Sequence, residues 1–289
     1  MNTFDVATQD TLLILLGAAS FILGGLIGSF LNVCVYRIPA GESVVRPGSH
    51  CPKCNNPLAW YDNIPVMSWL ILAAKCRNCK EPISWQYPLV EAITAVLFYL
   101  VFLKFGMTIA SPIYMLLAAS LVLVTFVDLT DWTIPDEVSI GGMPVGIVCS
   151  VIAMMVPGSG LLLDNPLMSF LGLLLGGGIL YGLDIFSAIV FKKRGMGMGD
   201  VKLLAMLGAF FGPKGVVLII IISSFVGSII GISLIIASKR KNSESDEESV
   251  GNYLPFGPYI VLGGLIYVFV GPQLVDMYLS YIGMDGQPF

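Results

Sequence analysis

The chain has 289 residues, 56% of them hydrophobic and only 12% charged, with a formal net charge of −4 at pH 7 and a mean hydropathy of +0.86. A soluble domain of this length would carry about 25% charged residues, so composition excludes an ordinary soluble globule. A single histidine further excludes most histidine-based catalysis.

The apolar residues fall in blocks of about 20, the length that crosses a hydrocarbon core of about 30 Å. Eight spans are predicted, at about 12–36, 88–105, 111–129, 138–157, 167–191, 201–212, 215–238 and 257–279. They are expected to be helices, because lipid leaves every backbone polar group to be satisfied within its own segment. No cleavable signal peptide is expected: the first apolar block follows acidic residues and is too long. The expected fold is therefore an all-α polytopic membrane protein of about eight transmembrane helices. Its predicted division is a first helix at 1–36, an insert at 37–87 and a multi-helix domain at 88–289.

The insert is the one sizeable polar segment and holds Cys51-Pro-Lys-Cys54 and Cys76-Arg-Asn-Cys79. Two CxxC pairs let four thiolates converge on one tetrahedral ion, which makes Cys51, Cys54, Cys76 and Cys79 candidate ligands of a structural zinc. So small a segment cannot bury a sufficient core, a physical reason for such a staple. His50 adjoins Cys51 and is an alternative ligand in its place. Disulfides or unrelated thiols are the competing readings. Cys34 and Cys149, in apolar spans, read as packing residues.

Basic residues predict the orientation. With the N-terminus outside, thirteen of the 15 lysines and arginines lie inside, leaving only Lys104 and Lys214 outside. The insert is then cytoplasmic, where thiols stay reduced. The acidic run from Asn242 to Ser249 reads as a solvated linker.

Two acidic clusters fall at the predicted inner edge, where ionised groups beside hydrocarbon are costly. One is "VDLTDWTIPDE" from Val127 to Glu137, between the third and fourth spans. The other is "RGMGMGDVKLL" from Arg194 to Leu204, between the fifth and sixth. Packing of these helices would let Asp128 and Asp200 meet at one depth. Two close carboxyls share a proton: the ionised member takes a proton from water while the protonated one polarises a peptide carbonyl. Helix polarity predicts Asp200, at a helix start, as the ionised member. Gly197 and Gly199 are candidate substrate-binding positions, since a peptide backbone can approach closely and positive φ is open to them. The bland reading is that these glycines end one helix and Asp200 caps the next. Asp131 and Asp136 read as turn and helix-start residues, Asp184 as a suspect inside its span, and Glu91 as a cap or an orienter of the insert. Glu42 and Asp62 read as surface charges. No GxxxxGK[ST] loop or strand-linked GxGxxG is present, and no nucleic-acid partner is expected.

Taken in order, "GSFLNVCVYRIP" (28–39), "RPGSHCPKC" (46–54), "DNIPVMSW" (62–69), "CRNC" (76–79), "ISWQYPLVE" (83–91), "DLTDWTIPD" (128–136), "GMGMGDVKLLAMLGAFFG" (195–212) and "PFGPYIVLGG" (255–264) closely resemble the bacterial type IV prepilin peptidases. These are membrane aspartic proteases of the GxGD type. The resemblance implies Asp128 and Asp200 as the catalytic pair. It also implies prepilins and pseudopilins of type II secretion as substrates, cut after a short basic leader at the cytoplasmic face of the inner membrane. For members with a tetracysteine insert it implies methylation of the new N-terminus with S-adenosylmethionine, by residues that the motifs do not identify. The alternatives are a proton-coupled transporter, which would place acids near the midplane, and a zinc-stabilised scaffold without chemistry.

Overall fold

A computed structural model describes residues 3–192, 196–241, 255–281 and 283; Lys193, Arg194, Gly195 and the acidic run lie outside this set. Among the described residues there are helices and two isolated bridges but no β-strand. The elements are α1 (Thr3–Arg37), a 3-10 turn (Trp60–Asn63), α2 (Met67–Ile71), α3 (Gln86–Phe105), α4 (Ala110–Asp131), α5 (Asp136–Met155), α6 (Pro166–Phe191), α7 (Met198–Lys241) and α8 (Gly257–Tyr281). Seven of these helices are long and apolar enough to cross a membrane. The chain divides into two compact units, Met1–Val127 and Asp128–Phe289, with the division inside α4.

In the first unit α1 packs on α3 through glycines one turn apart. A Cβ on Gly24 would meet Ala95 Cα and Thr94 O at 2.7 Å, and one on Gly28 would meet Glu91 Cα at 2.7 Å. Small residues let apolar helices approach this closely, and in lipid such van der Waals contact does much of the joining. Asn32 Nδ2 donates to Tyr87 O across the same seam, at 3.0 Å. Glu91 does orient the insert: its Oε2 accepts from Val66 N at 2.7 Å. At the C-terminal end of α1, Arg37 donates to the carbonyls of Ser43, Pro47 and Gly48, which fixes the loop that leads to the first cysteine pair.

The second unit is built on α7, which contacts α5, α6 and α8. At about 1.5 Å per residue, a straight helix of this length would far exceed a bilayer core. The helix breaks at Gly212, whose φ of 70° suits glycine and whose successor is Pro213. The chain turns sharply there: Val216 Cγ2 lies 2.9 Å from where a Cβ on Gly208 would sit. In a straight helix these two residues would be about 12 Å apart. The sixth and seventh predicted spans are thus two limbs of one assigned helix.

Against the first limb lies α6, again with glycine facing glycine. A Cβ on Gly172 would overlap Gly208 O and come within 2.6 Å of Gly212 Cα, and one on Gly176 would meet Leu204 O at 2.5 Å. Ser169 Oγ donates to Ala209 O at 2.5 Å in the same buried seam. Asn165 caps α6 by accepting from Leu167 N at 3.0 Å, with Pro166 at the first helical position, where its missing N–H costs nothing. The second limb meets α8, where Ser223 Oγ donates to Tyr259 O at 3.0 Å.

Candidate active site and metal centre

The two cysteine knuckles of the insert fold alike. Cys51 N donates to Asn56 O at 3.0 Å and Asn55 N returns to Cys51 O at 2.8 Å; Cys76 N donates to Glu81 O at 2.8 Å and Lys80 N returns to Cys76 O at 3.1 Å. Asn55 and Lys80, at matching positions, share the left-handed conformation that closes each turn. The pattern brings all four Sγ atoms within 4.8 Å of one another. Cys51 Sγ and Cys79 Sγ stand 3.8 Å apart, and a tetrahedron with Zn–S bonds of about 2.3 Å has edges of about 3.8 Å. Backbone N–H groups of Cys79 and Asn78 hold the Cys76 thiol down at about 7, so its thiolate is accessible near neutrality. The four residues therefore fit a structural zinc with no position left for substrate. His50 instead turns its Nδ1 to Gly48 O at 3.0 Å. Replacing Cys51 and Cys76 together by serine is expected to remove the zinc bound by the purified chain and to leave the insert more readily proteolysed; metal analysis and limited proteolysis check both.

Asp62 is more than a surface charge. Arg77 grips its carboxylate at 2.6 and 3.0 Å, leaving its side chain 6% exposed, and these hydrogen bonds hold the carboxyl below the usual carboxylate range. The pair ties the 3-10 turn to the second knuckle. Sequence spacing carries no signal for a contact between two such distant exposed-looking residues.

In the second unit, the starts of α5, α7 and α8 gather around the last turn of α4. Lys202 Nζ lies 2.7 Å from Asp136 Oδ1, joining the N-terminal part of α7 to the first turn of α5. Asp136 does begin a helix, as its place after Pro135 predicted. The Ile134 side chain touches both neighbours: it lies 2.9 Å from a Cβ placed on Gly199 and 3.3 Å from one on Gly257.

Asp128 and Asp200 are both buried in this setting, at 6% and 8% exposure, and are electrostatic neighbours. Asp200 is the third residue of α7 and takes the backbone N–H of Gly197, as an acid at that position reaches back in a capping box. Its capping role and its availability to a partner carboxyl coexist. Asp128 lies against Gly257, whose backbone N–H faces its carboxyl, while Oδ2 itself has no hydrogen-bond partner. Gly257 opens α8, so Asp128 also faces a helix N-terminus. The polarity argument that set Asp200 apart as the ionised member therefore no longer separates the two, and titration belongs to the pair. Gly257 was invisible as a site residue because its contact with Asp128 is non-local. A Cβ there would lie 2.5 Å from Asp128 Oδ2, which makes glycine the residue that fits.

The two candidate glycines differ. Gly197 is exposed and has only Asp200 Oδ2 near it, at 3.3 Å, whereas Gly199 lies beneath Ile134. Neither adopts positive φ; Gly199 already lies within α7, which begins at Met198. Close approach remains open at Gly197; at Gly199 the space is filled by Ile134. Asp184 is also buried in α6, with Oδ1 lacking a hydrogen-bond partner, and Asp131 is exposed beside Thr130.

Comparison with known proteins adds the family. Residues 22–105 match the model of the bacterial peptidase A24 N-terminal domain, and residues 115–232 that of the type IV leader peptidase family. A prepilin leader peptidase/N-methyltransferase of Myxococcus xanthus is 37% identical over 238 residues, covering 81% of this chain and 69% of the relative. Proteins of the same name from Pseudomonas aeruginosa and Xanthomonas campestris are 33% and 35% identical, covering 91% of this chain and 93% and 94% of theirs. No solved structure matches the chain.

Proposed function

The chain belongs to the type IV leader peptidase family, and from that premise we propose that it removes the short basic leader of prepilins and pseudopilins through Asp128 and Asp200. The supporting observation is the pair itself: two buried carboxyls that sense one another, one with an unpartnered Oδ2. The ionised carboxyl of the pair accepts a proton from water. That water adds to the scissile carbonyl carbon while the protonated carboxyl donates to its oxygen. The carboxyl that took the proton from water passes it to the leaving amine as the C–N bond breaks, and a hydroxyl of the gem-diol returns its proton to the other carboxyl, which restores the shared proton. The exposed backbone at Gly197 offers an extended substrate a place beside the acids. A transporter or an inert scaffold is not favoured by this family.

The names of the relatives extend the proposal to methylation of the freed N-terminal amine. S-adenosylmethionine would supply the methyl group, and no residue of this chain is assigned to it. The tetracysteine module at 37–87 would be the zinc-stapled part, with the peptidase in 88–289. The thirteen-to-two charge asymmetry supports an N-terminus outside the inner membrane and acids at the cytoplasmic face. The test is to reconstitute the full chain in liposomes with a pilin precursor, with and without S-adenosylmethionine, and to measure product mass. Leader loss in both samples, with one added methyl group only when the donor is present, is expected. An intact precursor in both would refute the reading.

A further inference from the structure

The middle of the insert runs deeper than a cytoplasmic module should. The packing of α1 on α3 sets a depth scale, with Asn32 level with Tyr87 at the start of α3, Gly28 against Glu91 and Gly24 against Ala95. On that scale the chain around the 3-10 turn descends. Ser29 Oγ donates to Asn63 Oδ1 at 3.5 Å, Val66 N donates to Glu91 Oε2 at 2.7 Å, and the Pro65 ring lies 3.3 Å from where a Cβ on Gly25 would sit. Gly25 precedes Asn32 by about two turns of helix, or about 10 Å along the axis. The segment thus reaches well beneath the level at which α3 begins.

Its surface suits that depth. Met67, Leu70 and Ile71 are spaced to share one face of α2, and they are 55%, 58% and 72% exposed. Its backbone suits it too. Met67 N donates to Pro65 O, Ser68 N to Ile64 O, Leu70 N to Val66 O and Leu72 N to Ser68 O, while the Ser68 hydroxyl also returns to Ile64 O. Internally paired donors are what lipid demands of non-spanning backbone.

We propose that the segment from Asn63 to Ile71 is seated in the bilayer beside α1, with the Met67–Leu70–Ile71 face in contact with lipid acyl chains. The occupant is lipid because the segment is continuous with the lipid-facing helix on which it packs: Leu15 of α1, for example, is 61% exposed. The segment would pin the zinc knuckles at the headgroup level rather than leave them on a free tether. Trp60, 81% exposed just before the descent, is the amphipathic residue expected at such a boundary.

The test uses the full chain in nanodiscs of phosphatidylethanolamine and phosphatidylglycerol. A photoreactive benzoylphenylalanine is placed at Ile71, at Leu15 as a lipid-facing reference, or at the exposed Lys53 of the first knuckle. Lipid adducts at Ile71 should approach those at Leu15 and exceed those at Lys53 by about tenfold or more. Adducts at Ile71 no more frequent than at Lys53, or cross-links from Ile71 to protein instead of lipid, would overturn the proposal. The unsubstituted chain gives an independent check: a lipid-soluble diazirine should label residues 63–72 as it labels α1, and label no heavier than that of residues 44–54 would also overturn it.

Discussion

Valine in place of Gly208 is expected to destabilise the second unit severely, by about 3 kcal/mol or more, the upper end of what overpacking costs. The added Cβ would overlap Gly172 O, come within 2.5 Å of Gly172 C and lie 2.9 Å from Val216 Cγ2. Two of those neighbours are backbone, and they cannot swing aside as the tip of a flexible side chain would. Relief would require α6 to move away from the first limb of α7. That movement would break the buried hydrogen bond from Ser169 to Ala209 and open the fold-back at Gly212. Because Asp200 starts this limb, activity should fall along with stability. Gly172→Val should behave alike. Gly178→Val is the control, since nothing lies within 4 Å of a Cβ there. Thermal unfolding in one detergent should show large losses for the first two variants and little for the third. Equal behaviour of all three would mean that this seam does not exist.

Much of this architecture was legible in the residues, for identifiable reasons. Apolar run length has one scale, the bilayer, so the spans emerged from hydropathy alone. The pairing of CxxC with CxxC has few other physical uses, and the four thiols do converge. The Gly212-Pro213 step marked a boundary because φ at Gly212 and the missing N–H of Pro213 both oppose a continuous helix. What stayed hidden was non-local. The spacing of Gly172, Gly176, Gly208 and Gly212 is visible in the chain, but nothing local says that these glycines face each other. Asp62 reads as a surface charge until Arg77 is found across it. Asp128 reads as an acid at a helix C-terminus until the first amide of α8 is found beside it.

The other large effect concerns the acids. Asparagine matches aspartate in shape and keeps one carbonyl oxygen, so Asp200→Asn can still accept the Gly197 amide and Asp128→Asn can still face Gly257. Neither can ionise or carry the shared proton. Each single substitution should therefore reduce leader cleavage by about a thousand-fold or more while the chain still inserts and binds zinc. On the proposed mechanism the two carboxyls act as one device, so the double variant should be scarcely worse than either single one. Independent roles would instead multiply the two losses. The deciding measurement is the rate of leader removal from one pilin precursor by wild type, Asp128→Asn, Asp200→Asn and the double variant, reconstituted at equal amounts in the same liposomes. The account predicts that all three variants are comparably inactive, with zinc content unchanged. Continued cleavage by either single variant near the wild-type rate would contradict the assignment of Asp128 and Asp200 as the catalytic pair.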